Sequence, residues 1–254
     1  MTPPFRISAS LPGIPHGFFG RRGGVSVGDL ASLNAGIGSG DDPVAIAENR
    51  SRAGSAILPG AALVGVYQVH GRDCAVVDAP WSDAHRPHAD ALVTDRPGVL
   101  LGILTADCVP VLLADRAAGV IGAVHAGWKG ALAGITDSTI AAMVAKGASV
   151  ATITAAIGPC IGAASYEVDR AFVDRFLAVD PANEHFFRAG RAAHAQFDIA
   201  AYVAARLAAA GVSRAEILGD DTYALDADYF SYRRACHHGK GGYGRQISLI
   251  GLAA

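Results

Sequence analysis

Cysteine, methionine and charge are all scarce in this chain, and each scarcity closes a route. Only four cysteines occur in 254 residues, Cys74, Cys108, Cys160 and Cys236, and no two form a CxxC pair. They read as free thiols or ligands in a reducing compartment, not as a disulfide frame. Charged residues make up 17% of the chain, 21 basic against 23 acidic, with a net charge of −2 and no basic block. A nucleic-acid surface needs clustered Lys and Arg to neutralise phosphates, so that partner class is set aside. No apolar run approaches the roughly eighteen residues of a membrane span. The opening "MTPPFRISASLPGIPHGFF" interrupts with Pro and Gly the apolar core that a signal peptide requires. A cytoplasmic protein without membrane or nucleic-acid partners is expected.

What is present is mostly apolar. Hydrophobic residues make up 51% of the chain, enough for a sizeable buried core at this length. Residues 1–45 are rich in Gly, Pro and Ser and read as a strand near 17–19 followed by ordered loops. A helix follows from Pro43. Short apolar runs bounded by Gly, Pro and Asp predict strands at 62–69, 74–77, 91–94, 98–104, 110–115 and 119–126. Several are apolar on both faces, as buried sheets require. Beyond Lys129 the period changes. Leu132, Ile135, Thr139 and Met143 fall at helical spacing, with Gly147 as a stop. A strand in "ATITAAIG", helices near 169–178 and 198–210, and a last strand at 246–252 complete the pattern. No repeat or composition break divides the chain, so residues 1–254 are expected to form one α+β domain.

Three familiar motifs fail on context. "GKGGYG" (239–244) fits G-x-G-x-x-G by letter but precedes a strand instead of opening a helix. "HHGKGG" lacks the first glycine and the Ser/Thr of a phosphate-binding Walker loop. "GPCIGA" has no second cysteine, and no HxE precedes it, so the common zinc deaminase signature is absent.

Polar residues at strand ends carry more. His70 closes "YQVHG", Asp107 and Cys108 close "LGILTADC", and His125 closes "GVIGAVHAG". Converging strand ends are where α/β proteins place their chemistry. Two imidazoles and a thiolate suit zinc and leave a fourth position open. Spacings of 38 and 17 residues are no local metal motif, and a strand-end His or Cys is as readily a hydrogen-bonded core residue. A cysteine hydrolase, with Cys108 as nucleophile and His125 as its base, is the rival chemistry. Copper is the weaker third option. Met1 and Met143 are the only methionines, and no His-x-His pair exists for a trinuclear cluster. Arg21, Arg22, Lys129, Arg233, Arg234 and Arg245 sit beside Gly and aromatics, and as a group they are candidates to hold an anion such as phosphate.

The segments "HGFFGRRGGVSVGDLASLNAG", "QVHG", "ADALVT", "TADCVPVLL", "AVHAGWKG", "IGPCIG" and "FSYRR" followed by "GRQ" together resemble the YfiH/laccase-domain family. Its members go under the names polyphenol oxidase, peptidoglycan editing factor and purine nucleoside phosphorylase. The resemblance implies a single-domain α+β sandwich of mixed β-sheets flanked by helices, a fold also likened to cysteine hydrolases of the cytotoxic-necrotising-factor type. It implies a zinc site at His70, Cys108 and His125. It further implies phosphorolysis of adenosine, inosine, guanosine and methylthioadenosine to free base and (methylthio)ribose 1-phosphate, and deamination of adenosine to inosine. On this view Cys108, His125, His70 and Asp107 are the catalytic candidates, with Asp107 shuttling protons. Arg21, Asn34, Lys129, Arg233 and Arg245 are the substrate and phosphate candidates. The alternatives are a cysteine-type hydrolase or a peptidoglycan-precursor editing factor using Cys108 and His125, and, behind them, a copper polyphenol oxidase. A monomer is the working expectation. Two departures bear on substrate preference: Asp221-Thr222 stands where the family has Cys-Thr, and "ACHHGKGGY" (235–243) replaces a short acidic turn. His237 and His238 there read as surface-loop residues in preference to a polar lid.

Overall fold

The computed structural model describes residues 2–253. In chain order its elements begin with strands β1 (Phe5–Arg6) and β2 (His16–Phe19), helix α1 (Pro43–Ile57), and strands β3 (Ala62–Val64) and β4 (Cys74–Val76). Next come strands β5 (Ala91–Thr94), β6 (Val99–Thr105), β7 (Val109–Asp115) and β8 (Val120–Ala126), then helices α2 (Trp128–Ala133) and α3 (Ile135–Ala145). Strands β9 (Thr154–Ile157) and β10 (Glu167–Asp169) lead to helix α4 (Arg170–Val179), then strands β11 (Phe187–Ala189) and β12 (His194–Phe197). Helix α5 (Ile199–Ala209), strand β13 (Arg214–Ile217), helix α6 (Tyr232–His237) and strand β14 (Gln246–Gly251) close the series.

Two mixed sheets face each other. One has the order β1-β2-β14-β6-β3 and the other β13-β9-β7-β8-β5-β4, while β10-β12-β11 make a small third sheet. Alternation along the strands sends side chains into three apolar layers. Between the large sheets lie Phe18, Leu101, Ile103, Leu112, Ala114, Ile121, Ala123 and Ile250. Outside the six-stranded sheet, Val111, Leu113, Val124 and Ile157 meet Ile135, Met143, Phe176 and Leu207 from the helices. Outside the five-stranded sheet, Leu100, Ile247 and Leu249 meet Ala53 of α1. This is the mixed-sheet sandwich flanked by helices that the resemblance implied. Each fully buried Leu or Ile contributes about 1.5–3 kcal/mol of hydrophobic stabilisation, and the double-sided burial explains the near-continuous apolar runs of β7 and β8.

Helix starts follow local chemistry. Asp42 accepts the Val44 N–H at 2.9 Å ahead of Pro43, Asp169 accepts that of Phe172 at 2.8 Å, and Asp198 that of Ala201 at 2.9 Å. Two expectations need correction. The helix predicted beyond Lys129 is broken in two, because Gly134 takes a left-handed φ of 90° between α2 and α3. The strand predicted over 62–69 stops at Val64. Beyond it Gln68 replaces backbone pairing with its side-chain amide, giving Nε2 to the Leu104 carbonyl and taking the Leu104 N–H. The small third sheet, β1, β13 and α6 are short and carry no strong period, and the pattern did not announce them.

Two crossings between the sheets matter most. Between β6 and β7 the chain passes from the five-stranded to the six-stranded sheet within residues 106–108. The segment between β3 and β4 makes the same passage and carries His70. Both passages use a non-glycine residue at positive φ, Asp107 (84°) and His70 (60°). Such conformations cost about 1–3 kcal/mol each and persist where surrounding contacts over-determine them.

Candidate metal centre and its pocket

His125 is the penultimate residue of β8 and shares the inter-sheet face with Ile121 and Ala123. Cys108 immediately precedes β7, and the register pairs Pro110 with His125 across the β7–β8 ladder. The β3–β4 crossing brings His70 to the same end. The ligand atoms of His70, Cys108 and His125 lie within 4.8 Å of one another. His70 Nε2 is 4.0 Å from Cys108 Sγ, and the two imidazoles meet edge-on with centroids 4.7 Å apart. Residues 38 and 17 positions apart in sequence therefore form one possible metal site.

The donors suit a metal. In a tetrahedral site with bonds of 2.0–2.3 Å, ligand atoms stand roughly 3.3–3.6 Å apart. The triad's separations, 4.0 Å from His70 Nε2 to Cys108 Sγ and at most 4.8 Å overall, stand up to about 1.5 Å above that spacing. Asp90 Oδ1 is 2.7 Å from His125 Nδ1, so the ring gives that N–H to the carboxylate and keeps Nε2 free for coordination. Gly127 is required at this point. A Cβ there would stand 2.8 Å from His70 Cδ2 and 3.2 Å from Cys108 Sγ.

Asp90 is the residue that sequence reasoning missed. It is 0% exposed, and its carboxylate also accepts the N–H groups of Val69, His70 and Gly71 at 3.2, 2.9 and 2.6 Å. Its carbonyl takes the His125 N–H at 2.7 Å. The signal was an acid at the mouth of the wholly buried strand β5, inside the quoted "ADALVT". Burial opposes the charge on Asp90, but the hydrogen bond and charge of His125 and the N–H groups of Gly71 and His70 outweigh it and hold its pKa below normal.

The same balance acts on the other two groups. Burial would raise the Cys108 thiol, yet the charge of His125 and the hydrogen bonds from His125 and His70 lower it to about 6. Burial would discharge His125, but Cys108 and Asp90 raise it to about 9. Each group favours the charged form of the other, the thiolate of Cys108 and the imidazolium of His125. Cys74 is pushed up to about 12 by burial, and Cys160 is raised further by burial and neighbouring carboxylates.

The triad lines a pocket of about 290 Å³ with Tyr67, Arg86, Thr105, Tyr243 and Arg245. Tyr67 is 53% exposed and stacks on His88 with centroids 4.7 Å apart. Of the five substrate and phosphate candidates, Arg245 alone lines this pocket. Arg21 gives its Nε–H to the Ala31 carbonyl at 2.8 Å and pairs with Asp226 at 3.2 Å, in a separate cleft. Asn34 is buried and cross-links Ser39, Asp41 and the Gly36 and Arg245 N–H groups. Lys129 is exposed over the Trp128 ring. Arg233 lies over Tyr166 and donates to the Glu167 carbonyl at 2.8 Å, lining a narrow cavity on another side of Cys108.

Asp107 lines the narrow cavity beside Cys108 with Arg233 and is itself densely hydrogen-bonded. It is 7% exposed. Its carboxylate already accepts Thr222 Oγ1 at 2.7 Å, Ser231 Oγ at 2.9 Å and the Arg233 N–H at 2.6 Å. Burial raises its pKa despite these bonds. The acid ties the Cys108 turn to the start of α6. Asp221 accepts the Ser165 hydroxyl at 2.6 Å and the Tyr223 N–H at 2.9 Å. His237 ends α6 with Nδ1 2.9 Å from the Tyr223 hydroxyl and lines the Trp128 cleft, not the triad pocket.

Residues 15–253 match the profile of a family described as multi-copper polyphenol oxidoreductase laccase. The chain belongs to this laccase-like family. Its family relatives include proteins named purine nucleoside phosphorylase. That of Streptomyces griseus (ORF3) is 44% identical over 89% of this chain and 92% of its own length. That of Deinococcus radiodurans is 42% identical over 94% and 89%. Solved structures in the family's fold include YlmD of Geobacillus stearothermophilus, with TM-score 0.89 and 31% identity over 98% of this chain and 99% of that one. Neisseria meningitidis NMB0706 gives TM-score 0.85 and 32% identity over 100% and 99%. No helix among the described residues is long and apolar enough to cross a membrane.

Proposed function

We propose that this family member is a zinc-dependent purine nucleoside phosphorylase that also deaminates adenosine. The observation that carries the reading is the His70–Cys108–His125 cluster on the wall of a pocket with two tyrosines and two arginines. Relatives that bear the phosphorylase name at 44% and 42% identity support the substrate class. A thiolate with two imidazoles and an open position suits zinc. Copper of the blue type would want a weak axial methionine, and Met143 is spent in the core. When bound, zinc would lower the pKa of a water in its open position and polarise a substrate group there.

The chain's own residues supply the rest. Tyr67, 53% exposed with His88 on one face, and Tyr243, with Arg245 over its ring, put aromatic surface in the pocket against which a purine packs. In phosphorolysis a phosphate oxygen bonds to C1′ while the C1′–N9 bond breaks. The electron pair goes to the purine, which takes up a proton and leaves as free base, with ribose 1-phosphate as the other product. Deamination exchanges the C6 amino group of adenosine for the oxygen of water and releases ammonia. Asp90 keeps His125 in one tautomer, and Asp107 we assign to holding the Cys108 turn. The reading takes the chain as one domain working as a monomer in the cytoplasm, where its four free thiols stay reduced.

Chromatography of adenosine and inosine incubations, with elemental analysis of the protein, tests this. Base and ribose 1-phosphate are expected only with phosphate present, and inosine formation from adenosine is expected to stop on chelation and in His125→Ala. Base release without phosphate would indicate hydrolysis. A second reading, a cysteine hydrolase, is favoured by the closeness of the Cys108 sulfur to a His125 ring nitrogen, within 4.8 Å, with the thiol shifted down and the imidazole up. Such an enzyme would keep its activity through chelation and lose it on thiol alkylation.

A further inference from the structure

We infer that Arg86 and Arg245 form an oxyanion clamp in the triad pocket, and that inorganic phosphate binds between them. The identity of the anion rests on the phosphorolysis proposed above. The clamp itself rests on charge and hydrogen-bond bookkeeping at the pocket wall. No carboxylate lines the pocket, and its two permanently charged residues are both arginines.

Arg245 pairs with no carboxylate among the described residues. Its backbone N–H is fastened to Asn34 Oδ1 at 2.9 Å. Its guanidinium lies 4.8 Å from the Tyr243 ring centroid, with Nη2 3.2 Å from the Tyr243 hydroxyl. Stacking a guanidinium on a ring leaves its edge donors free for a tetrahedral oxyanion.

Arg86 is held but not neutralised. Its Nε–H goes to the Asp83 carbonyl at 2.7 Å, and the Asp83 carboxylate stands 3.9 Å away. That carboxylate is closer to Arg50, at 3.2 Å. One acid therefore faces two guanidiniums, and a positive charge remains beside the pocket. The Arg86 side chain is only 15% exposed, so water screens it weakly, and its two Nη groups make no hydrogen bond to the described residues. The segment carrying it is bound to the segment carrying His70. The Tyr67 N–H donates to the Pro87 carbonyl at 2.9 Å, the Ala89 N–H donates to the Tyr67 carbonyl at 3.2 Å, and Tyr67 stacks on His88. Arg86 is thus set relative to the triad before any ligand arrives, which limits the ordering cost of binding.

The rival cations are already committed or lie elsewhere. Arg21 answers Ala31 and Asp226, Arg233 answers Glu167, and neither lines this pocket. Phosphate near neutral pH carries up to two negative charges, and two forked donors match its charge and its several acceptor oxygens.

Two measurements on the metal-loaded protein test the clamp: steady-state phosphorolysis, and ³¹P line broadening of inorganic phosphate. The variants are Arg86→Met, Arg245→Met and Arg86→Lys. Arg116→Ala, in the β7–β8 turn at the far end of the sandwich, is the control. Each Met variant is expected to raise KM for phosphate about tenfold or more and to weaken the broadening in parallel, because a charge-assisted bidentate contact is lost. KM for nucleoside should stay within about twofold. Arg86→Lys, which keeps the charge and loses the fork, should fall between. An unchanged phosphate KM and unchanged broadening in both Met variants would overturn the clamp. Broadening that depends on both arginines, with no base released by the wild type, would uphold the clamp and sink the phosphorolysis reading instead.

Discussion

The carboxylate of Asp90 lies 2.7 Å from His125 Nδ1 and also receives the His70 N–H at 2.9 Å, so one buried acid orients two of the three candidate ligands. It fixes the His125 tautomer through one bond and supports the positive φ of His70 through the other. Its own charge is held by donors on every side, which is what burial demands of a carboxylate.

Asp90→Asn should therefore act on the metal more than on the substrate. The amide replaces one of the two acceptor oxygens by an N–H₂ group facing partners that are all donors, so either His125 and His70, which share Oδ1, or Val69 and Gly71, which share Oδ2, lose their acceptor. Metal affinity is expected to fall about 10–100-fold, the range typical of partners behind metal-bound histidines. Competition with a chromophoric chelator measures it. Wild-type affinity in a folded Asp90→Asn protein would remove the orienting role.

Metal should also decide which thiols react. In the metal-free protein, iodoacetamide is expected to label Cys236, which is exposed, and Cys108, whose pKa is lowered to about 6. Cys74 and Cys160, raised by burial, should stay unlabelled until the protein unfolds. Added zinc should protect Cys108 alone. Peptide mass mapping reads all four sites, and equal labelling of Cys108 with and without zinc would contradict its place in a metal site.

Replacing Asp107 separates an anchor from a proton carrier. Asp107→Ala leaves Thr222 Oγ1, Ser231 Oγ and the Arg233 N–H without their acceptor. A loss of about 2–4 kcal/mol in unfolding free energy is expected from these buried unpaired groups. Urea denaturation tests it. Unchanged stability combined with abolished turnover would return Asp107 to the role of proton shuttle.

Acid sensitivity should trace partly to Asp115 at the end of β7. Its buried carboxylate accepts the Ser149 N–H (2.8 Å), the Thr152 hydroxyl (2.7 Å) and the N–H groups of Ala117 and Ala118. Burial would raise its pKa, but these bonds outweigh burial and lower it. A carboxyl depressed in the folded state stabilises fully above its unfolded value of about 3.9 and loses that contribution as pH falls through the folded one. Asp115→Asn should lower the urea midpoint at pH 7 and flatten its decline below about pH 4, which is measured by parallel urea titrations. Parallel wild-type and variant curves across that window would rule the linkage out.

Much of this was legible in the chain. Near-continuous apolar runs marked β5 to β8, since a strand buried on both faces can carry little else, and the residues that interrupt those runs at their ends are His125, Asp107 and Cys108. Helices α1, α4 and α5 announced themselves by a Pro or an Asp cap ahead of an apolar period. Those features are local, and the chain's own composition determined them. That His70, Cys108 and His125 meet was decided by two crossings between sheets, for which 38- and 17-residue spacings hold no code. Asp90 and Arg86 escaped notice for the same reason. An acid before a strand and an arginine in a Pro-rich loop look ordinary until the fold brings one under His125 and lines the triad pocket with the other. Arg21, Asn34 and Arg233 show the converse, polar groups in suggestive segments whose hydrogen bonds the tertiary structure has already spent. Periodicity is written residue by residue, whereas the pairing of distant polar groups depends on which strand ends share an edge, and only the folded chain decides that.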